Sequence, residues 1–388
     1  MSNLKLSHLT AALIAVLLGY TSSAAIIFQA IAAVGASEAE ATSWMLALGL
    51  GTGISGLILS LRYRMPILTA WSTPGAALLA ISLTGTSLPE ATGAFVFCAL
   101  LLALTGLTGW FEKVSHLIPD ALGSAMLAGI LFRFGLEIFA SMQQDLPLVA
   151  LMCLTYLAGR RLLPRYAIPL VLLTGCAWCA ATGQFQGLDR IDWALARPVF
   201  TMPEFSLPVL IGVGLPLYIV TMTSQNIPGV VTLRAAGYQP PVSGSITVTG
   251  LVSLLAAPFG GFAFNLAAIT AAICAGPEAD DTPATRYLSV VVAGVFYCLV
   301  GLMGGAIIGL FLVAPRALVV TVAGIALLNT IGASLSAALA RTEQREAALV
   351  TFMATVSGVT FLGIGAPLWA LLFGGATSAA LTLKRRNG

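Results

Sequence analysis

Residues 65–82 read MPILTAWSTPGAALLAIS, and residues 259–276 read FGGFAFNLAAITAAICAG. Both blocks are apolar enough for a bilayer, and both break helical rules partway along. In the first, Pro66 to Trp71 is β-rich and bounded by proline. Ser72-Thr73-Pro74 then supplies a capping hydroxyl and a proline at the start of a helix. In the second, Gly260 and Gly261 resist helix and Phe262 to Phe264 suits an extended segment. Asn265 is a good N-cap there for a helix from Leu266 to Cys274. Each block is thus expected to be a short extended stretch followed by a half-helix. Non-helical backbone at bilayer depth is tolerated only inside protein or along a cavity, so an internal site is implied. The plainer alternative is a pair of kinked helices.

Composition carries the membrane reading to the whole chain. Of 388 residues, 58% are hydrophobic and 9% charged, against roughly a quarter charged in soluble domains. So few charges cannot cover a water-soluble surface, which excludes a soluble enzyme. The net charge of +3 gives no reason to expect nucleic acid. Cys98, Cys153, Cys274 and Cys298 lie singly in apolar blocks, and the Cys176/Cys179 pair lacks further ligands. These thiols are expected to pack as small hydrophobes, with no metal site. The apolar run from Ala11 to Ala33 is longer than a signal-peptide core and reads as a retained first span.

The apolar blocks fall at 9–34, 42–61, 66–85, 90–111, 118–140, 146–160, 166–183, 206–231, 241–258, 261–275, 285–308, 316–338, 346–360 and 361–383. Fourteen crossings with a cytoplasmic N-terminus put fourteen basic residues in inside loops: Lys5, Arg62, Arg64, Lys113, Arg160, Arg161, Arg165, Arg234, Arg286, Arg341, Arg345, Lys384, Arg385 and Arg386. Arg190, Arg197 and Arg316 are left outside. That asymmetry follows the positive-inside rule and places both termini in the cytoplasm. The outside linker 184–205 divides the chain into 1–183 and 206–388, with seven spans each. Seven is odd, so the halves enter the membrane in opposite senses, as an inverted repeat does.

The interrupted blocks stand seven spans apart, which points to a binding site between them. Helix starts present unpaired amides and the positive end of the macrodipole, suited to an anion. Candidate substrate contacts are Ser72, Thr73, Pro74 and Gly75 on one side, and Asn265, Leu266 and Phe264 on the other. Span 8 adds Gln225 and Asn226 beside Thr221, Thr223 and Ser224, and Pro228 frees the carbonyl of Ser224. Span 1 offers Tyr20 and Gln29 beside Ser22 and Ser23. Helix-to-helix hydrogen bonding is the alternative role for these polar groups. Arg133 and Glu137 share a helix face in span 5, either as an ion pair or gate latch or as part of proton coupling. His8 and His116 fall at span ends. The run Gly51 to Gly56 matches GxGxxG but lies inside a span, so Gly49 and Gly53 read as a packing face rather than a dinucleotide site.

LGYTSSAAIIFQA (18–30), LTAWSTPGAALL (68–79), AMLAGILFRFGL (125–136), MTSQNIPGV (222–230) and AAITAAIC (267–274) closely resemble the bacterial benzoate/proton symporter (BenE-type) family. The resemblance runs from span 1 to the C-terminus. It implies kinship with nucleobase and ascorbate transporters and an all-α fold of fourteen segments. A core domain would comprise spans 1–4 and 8–11, and a gate domain spans 5–7 and 12–14. The implied activity is proton-coupled uptake of benzoate across the inner membrane, with protons as the coupling ion and no other cofactor. The alternative is a carrier of the same fold for a nucleobase or another small organic anion. Where nucleobase carriers place acids in spans 8 and 10, this chain has Gln225 and the Phe262–Asn265 stretch, which suits an anion. Phe262, Phe264 and Trp71 are candidates to flank an aromatic ring, with core packing or lipid contact as the alternative for each. Expected partners are the aromatic carboxylate, protons and the lipid bilayer, with a homodimer left open.

Overall fold

The computed structural model describes residues 4–110, 120–185, 194–277, 279–359, 361 and 366–386. Lys113, His116 and Arg190 lie outside them. The first half runs α1 (Leu6–Ala33), α2 (Glu38–Tyr63), β1 (Thr69–Trp71), α3 (Thr73–Ser82), α4 (Leu88–Thr108), α5 (Asp120–Ser141), α6 (Leu146–Leu162) and α7 (Ala167–Ala181). A long composite helix, α8, follows from Leu207 to Ala235. Then come α9 (Val242–Ala256), β2 (Phe264–Leu266), α10 (Ile269–Ala275), α11 (Tyr287–Leu302), α12 (Gly304–Val313), α13 (Arg316–Leu339), α14 (Arg345–Ser357) and α15 (Ala366–Arg386).

Eight of the described helices are long and apolar enough to cross a membrane: α1, α2, α4, α5, α8, α9, α11 and α13. Shorter apolar helices lie at Thr73–Ser82, Ala167–Ala181 and Leu368–Leu381. The block expected to end at 308 is instead two helices, α11 and α12, broken at Met303 and extending to Val313.

Both interrupted blocks are broken, and their extended parts pair. β1 and β2 run antiparallel, with Thr69 opposite Leu266, Ala70 opposite Asn265 and Trp71 opposite Phe264. Two three-residue strands leave open edges, which hydrocarbon cannot satisfy. Hydrogen bonds to the neighbouring helices tie the pair in. Thr69 Oγ1 donates to the Thr52 carbonyl of α2 at 2.8 Å and accepts from Ser55 Oγ at 2.9 Å. The Phe264 amide donates to Ser253 Oγ of α9 at 2.9 Å.

α8 is wound unevenly. Two π-helical turns, Leu210–Gly214 and Met222–Asn226, interrupt it. Each ends two residues before a proline, Pro216 and Pro228 respectively. A proline has no N–H for the carbonyl one turn earlier, and the widened turn sits where that bond is missing.

Helices pack closest where glycines meet. A Cβ on Gly49 of α2 would lie 2.5 Å from Gly301 Cα of α11, and one on Gly53 would lie 2.5 Å from the Gly294 carbonyl. The main core surrounds the strand pair and includes Trp44, Phe95 and Phe262, with Trp44 edge-on to Phe95 at 5.3 Å. A second apolar cluster joins α5, α6, α7 and α13 through Ile138, Met152, Val171 and Leu318.

Candidate functional site

The break in the first block develops as its residues dictate. Ser72 is the N-cap of α3, and its Oγ accepts from the Gly75 amide at 3.1 Å. Thr73 opens the helix, so Pro74 occupies the second position, one later than expected. These assignments leave few unpaired amides at the α3 start. Pro74 has none, Gly75 is bonded to Ser72, and the Ala76 amide donates to the Ser72 carbonyl at 2.8 Å. The free donors of this helix start are therefore the amide and hydroxyl of Thr73.

The second block differs from expectation. Asn265 does not cap a helix and lies within β2, while α10 begins only at Ile269 behind Ala268. The reason is where the amides go. Leu266 N–H donates to Asn226 Oδ1 at 3.0 Å, and Ala267 N–H donates to the Leu68 carbonyl at 2.9 Å. The Asn265 amide group turns back to the Ala263 carbonyl at 3.0 Å. With those donors spent on distant partners, the helix starts later. It is seven residues long and its first turn has no side-chain cap.

Between these segments lies a cavity of about 350 Å³. Thr73 and Pro74 of α3 and Ala268 and Thr270 at the α10 start line it. So do Ser224, Gln225 and Pro228 at the widened turn of α8. α1 contributes Gly19, Ser22 and Ser23, α11 contributes Tyr297, and α13 contributes Leu327, Asn329 and Thr330. No lining residue is charged. Gln225 lines the cavity and has no hydrogen-bond partner among the described residues.

The aromatic wall is rigidly held. Trp71 donates from Nε1 to Ser23 Oγ at 2.9 Å, and Ser23 donates in turn to the Gly19 carbonyl at 2.6 Å. Tyr20 meets Trp71 edge-on at 4.9 Å, and Tyr297 meets Trp71 edge-on at 5.8 Å. A Cβ on Gly19 would lie 2.4 Å from Tyr297 Oη, so only glycine lets that hydroxyl in. The back of the α3 cap is pinned as well, because Thr221 Oγ1 donates to Ser72 Oγ at 3.0 Å.

Sorted by position, the expected contacts divide into three groups. Thr73, Pro74 and Gln225 line the cavity, Ser72 and Gly75 shape the α3 start behind it, and Tyr20 backs Trp71. Asn226, Asn265, Leu266 and Phe264 belong to the strand scaffold. All four are fully buried, and Phe264 is wedged against Gly51 of α2. Gln29 is in neither place and faces a separate cavity with Arg133 and Glu137. Those two form no ion pair. Arg133 reaches instead to the Val356 carbonyl at the end of α14, from Nε at 3.3 Å and Nη2 at 3.0 Å. A carbonyl at a helix C-terminus lacks an intrahelical donor and carries the negative end of the dipole, which explains the preference.

Tyr297, Thr270, Asn329 and Thr330 were not among the expected contacts. Asn329-Thr330 is a polar pair inside an otherwise apolar span, a signal open to reading. Tyr297 has no such mark, being one aromatic among many.

Comparison with known proteins agrees with this architecture. Residues 2–380 match the family model described as benzoate membrane transport protein. The chain is 46% identical over 375 residues to the inner membrane protein YdcO of Escherichia coli K12, covering 97% of this chain and 96% of that protein. It is 39% identical over 370 residues to a benzoate membrane transport protein of Acinetobacter baylyi, covering 95% and 93%. Its fold is similar to that of SLC26A9, with a TM-score of 0.66 at 12% identity over 97% of this chain and 66% of the longer one. It also resembles the transmembrane domain of the cyanobacterial bicarbonate transporter BicA, with a TM-score of 0.54 at 15% identity over 96% and 98%. At these identities the structural likeness speaks for the fold alone. The family model and the two curated relatives each span nearly the whole chain, and the protein belongs to the benzoate membrane transport protein family.

Proposed function

We propose that this chain imports benzoate, or a similar aromatic carboxylate, together with one proton, by alternating access across the inner membrane. The observation that carries the reading is the uncharged cavity between the interrupted segments. A flat apolar ring finds Trp71, Tyr297 and Pro74 there, and a carboxylate finds the Thr73 donors and the Gln225 amide. A buried lysine or arginine would itself compensate the carboxylate charge and remove the need for a proton. Acidic side chains, which would grip the N–H groups of a nucleobase, are absent from the lining. That disfavours the same-fold alternative of a nucleobase carrier and leaves other small organic anions as the competing substrates.

The fourteen-segment inverted repeat fits this reading, with α1–α4 and α8–α12 as core and α5–α7 and α13–α15 as gate. Supporting it are the antiparallel pairing of β1 with β2 and the separate apolar cluster shared by α5, α6, α7 and α13. The central cavity adjoins another of about 270 Å³, and Ser224, Pro228, Thr330 and Ala333 line both. That path leads to Gly123 and Ser124 at the start of α5 and Ala337 near the end of α13, ends that positive-inside topology puts in the cytoplasm. On this reading the molecule is open to the cytoplasm.

A benzoate anion carried with one proton crosses as a neutral pair, so the membrane potential does little work on it. In proteoliposomes, uptake should follow an imposed pH gradient, alkaline inside, and ignore an imposed potassium-diffusion potential. Accumulation driven by potential alone would exclude the stoichiometry. Unlabelled nucleobases failing to compete, while benzoate does, would separate the substrate classes.

A further inference from the structure

A cavity of about 620 Å³ lies apart from the central one and shares no lining residue with it. Its polar lining is Gln29 of α1, Glu38 of α2, Arg133 and Glu137 of α5, and Arg316 of α13. The rest is mostly apolar, with Phe28 and Phe134 as its two rings. Two of the polar groups, the exposed Arg316 and the buried Gln29 Nε2, have no protein partner among the described residues. Arg316 is the first residue of α13, where helix amides already present positive charge, so its guanidinium is there at a cost to the helix. It has no hydrogen-bond or ion-pair partner among the described residues. Gln29 Nε2 is buried and unpartnered, which ordinarily carries a penalty in an apolar setting.

Arg133 spends Nε and Nη2 on Val356 and keeps Nη1. Glu38 and Glu137 balance the two arginines in formal charge, yet neither forms an ion pair with them, whereas Lys5 does so with Asp280. The cavity is therefore neutral overall, while the Arg316 guanidinium and Arg133 Nη1 have no protein partner among the described residues. One monovalent acid head would satisfy an arginine and the Gln29 amide together, and an apolar ring would rest against Phe28 and Phe134.

We propose that this cavity is a second binding site for an aromatic monocarboxylate, on the face opposite the cytoplasmic opening, occupied before the central site. The inference rests on the substrate class proposed above. Leu131 and Phe134 of α5 and Leu327 of α13 belong to the main apolar core. Phe134 lines this cavity and Leu327 the central one, so the layer between them separates the two. An anion waiting here would enter the central site when that layer parts.

Binding of labelled benzoate to the purified full-length protein in detergent tests the proposal. A two-component isotherm is expected for the wild type. Arg316→Gln and Gln29→Leu should each weaken one component ~10-fold or more, the loss expected for one charge-assisted or buried hydrogen bond. Gln225→Ala should weaken the other. Gln29→Leu removes an unpartnered buried amide, so its fold is not put at risk, and Arg316 bonds to nothing in the described protein. A single component, lost in Gln225→Ala and unmoved by the other two substitutions, would overturn the second site and leave the proposed function standing. Two components that both ignore Arg316→Gln and Gln29→Leu would overturn it too. No benzoate binding by a monodisperse wild type would remove the substrate class, and the second site with it.

Discussion

Asn226 Oδ1 accepts the Leu266 amide across 3.0 Å, joining the widened turn of α8 to the inner edge of β2. Its neighbour Gln225 faces the cavity with no partner among the described residues, although the two side chains are identical in chemistry apart from one methylene. They should therefore fail differently. Asn226→Ala leaves the Leu266 N–H unpaired in a fully buried place, a loss of about 1–3 kcal/mol. A lowered melting temperature in detergent should accompany its loss of uptake. Gln225→Ala should melt like the wild type and lose benzoate binding ~10-fold or more. Equal melting temperatures for the two variants would contradict this division of roles.

Thr73 supplies the one free backbone donor of the α3 start together with its own hydroxyl. Thr73→Val keeps the shape and removes the hydroxyl, whereas Thr73→Ser keeps the hydroxyl. We expect Thr73→Val to raise the half-saturation concentration for benzoate about 10-fold, from the loss of one hydrogen bond to a charged group. Thr73→Ser should stay near the wild-type value. If serine fails while valine stays near the wild-type value, the methyl group and not the hydroxyl is what the site uses.

Gly49 lets α2 approach α11 until an added Cβ would lie 2.5 Å from Gly301 Cα. Backbone cannot give way as a side chain can, so Gly49→Ala must separate the helices. Overpacking of this kind costs about 1–3 kcal/mol. Gly375→Ala in α15 is the matched control, because a Cβ there meets nothing within 4 Å. Thermal unfolding should show a clear drop for the first and no drop for the second. Parity between them would mean that the α2–α11 contact yields readily.

What could be read from residue order was whatever depends on neighbours in the chain. The Ser72 cap, the late start of α3 and the interruption of both blocks follow from Ser-Thr-Pro and Gly-Gly placed inside apolar runs. The α10 boundary depends on Asn226, forty residues earlier, which captures an amide that a local reading assigns to a helix. Arg133 shows the same limit. Helical spacing makes Glu137 its obvious partner, but a long guanidinium reaches an unpaired carbonyl on another helix. Tyr297 joins the site only because Gly19 has no side chain, a relation between α1 and α11 that neither segment reveals alone.

Asp280, in the loop after α10, ties down the start of α1. Lys5 Nζ lies 2.8 Å from Oδ1, and the Thr282 amide and Thr285 hydroxyl also donate to the carboxylate. His8 Nε2 approaches Oδ2 at 3.1 Å, off the line a hydrogen bond needs. Arg286 holds the Asp280 backbone carbonyl at 2.7 Å. The Lys5 ammonium first, then the Thr282 and Thr285 donors, hold the Asp280 carboxyl well below the usual carboxylate range. A carboxyl depressed in the folded state adds stability that is complete above its unfolded value of about 3.9, and that fades as pH falls toward the folded value. Asp280→Asn should therefore melt lower than the wild type at neutral pH, and the gap should close as pH drops below about 4. Between pH ~5 and ~8, where pH-gradient uptake would be measured, the difference should stay constant. A gap that changed across that window would show that a group other than the Asp280 carboxyl governs the N-terminal clasp.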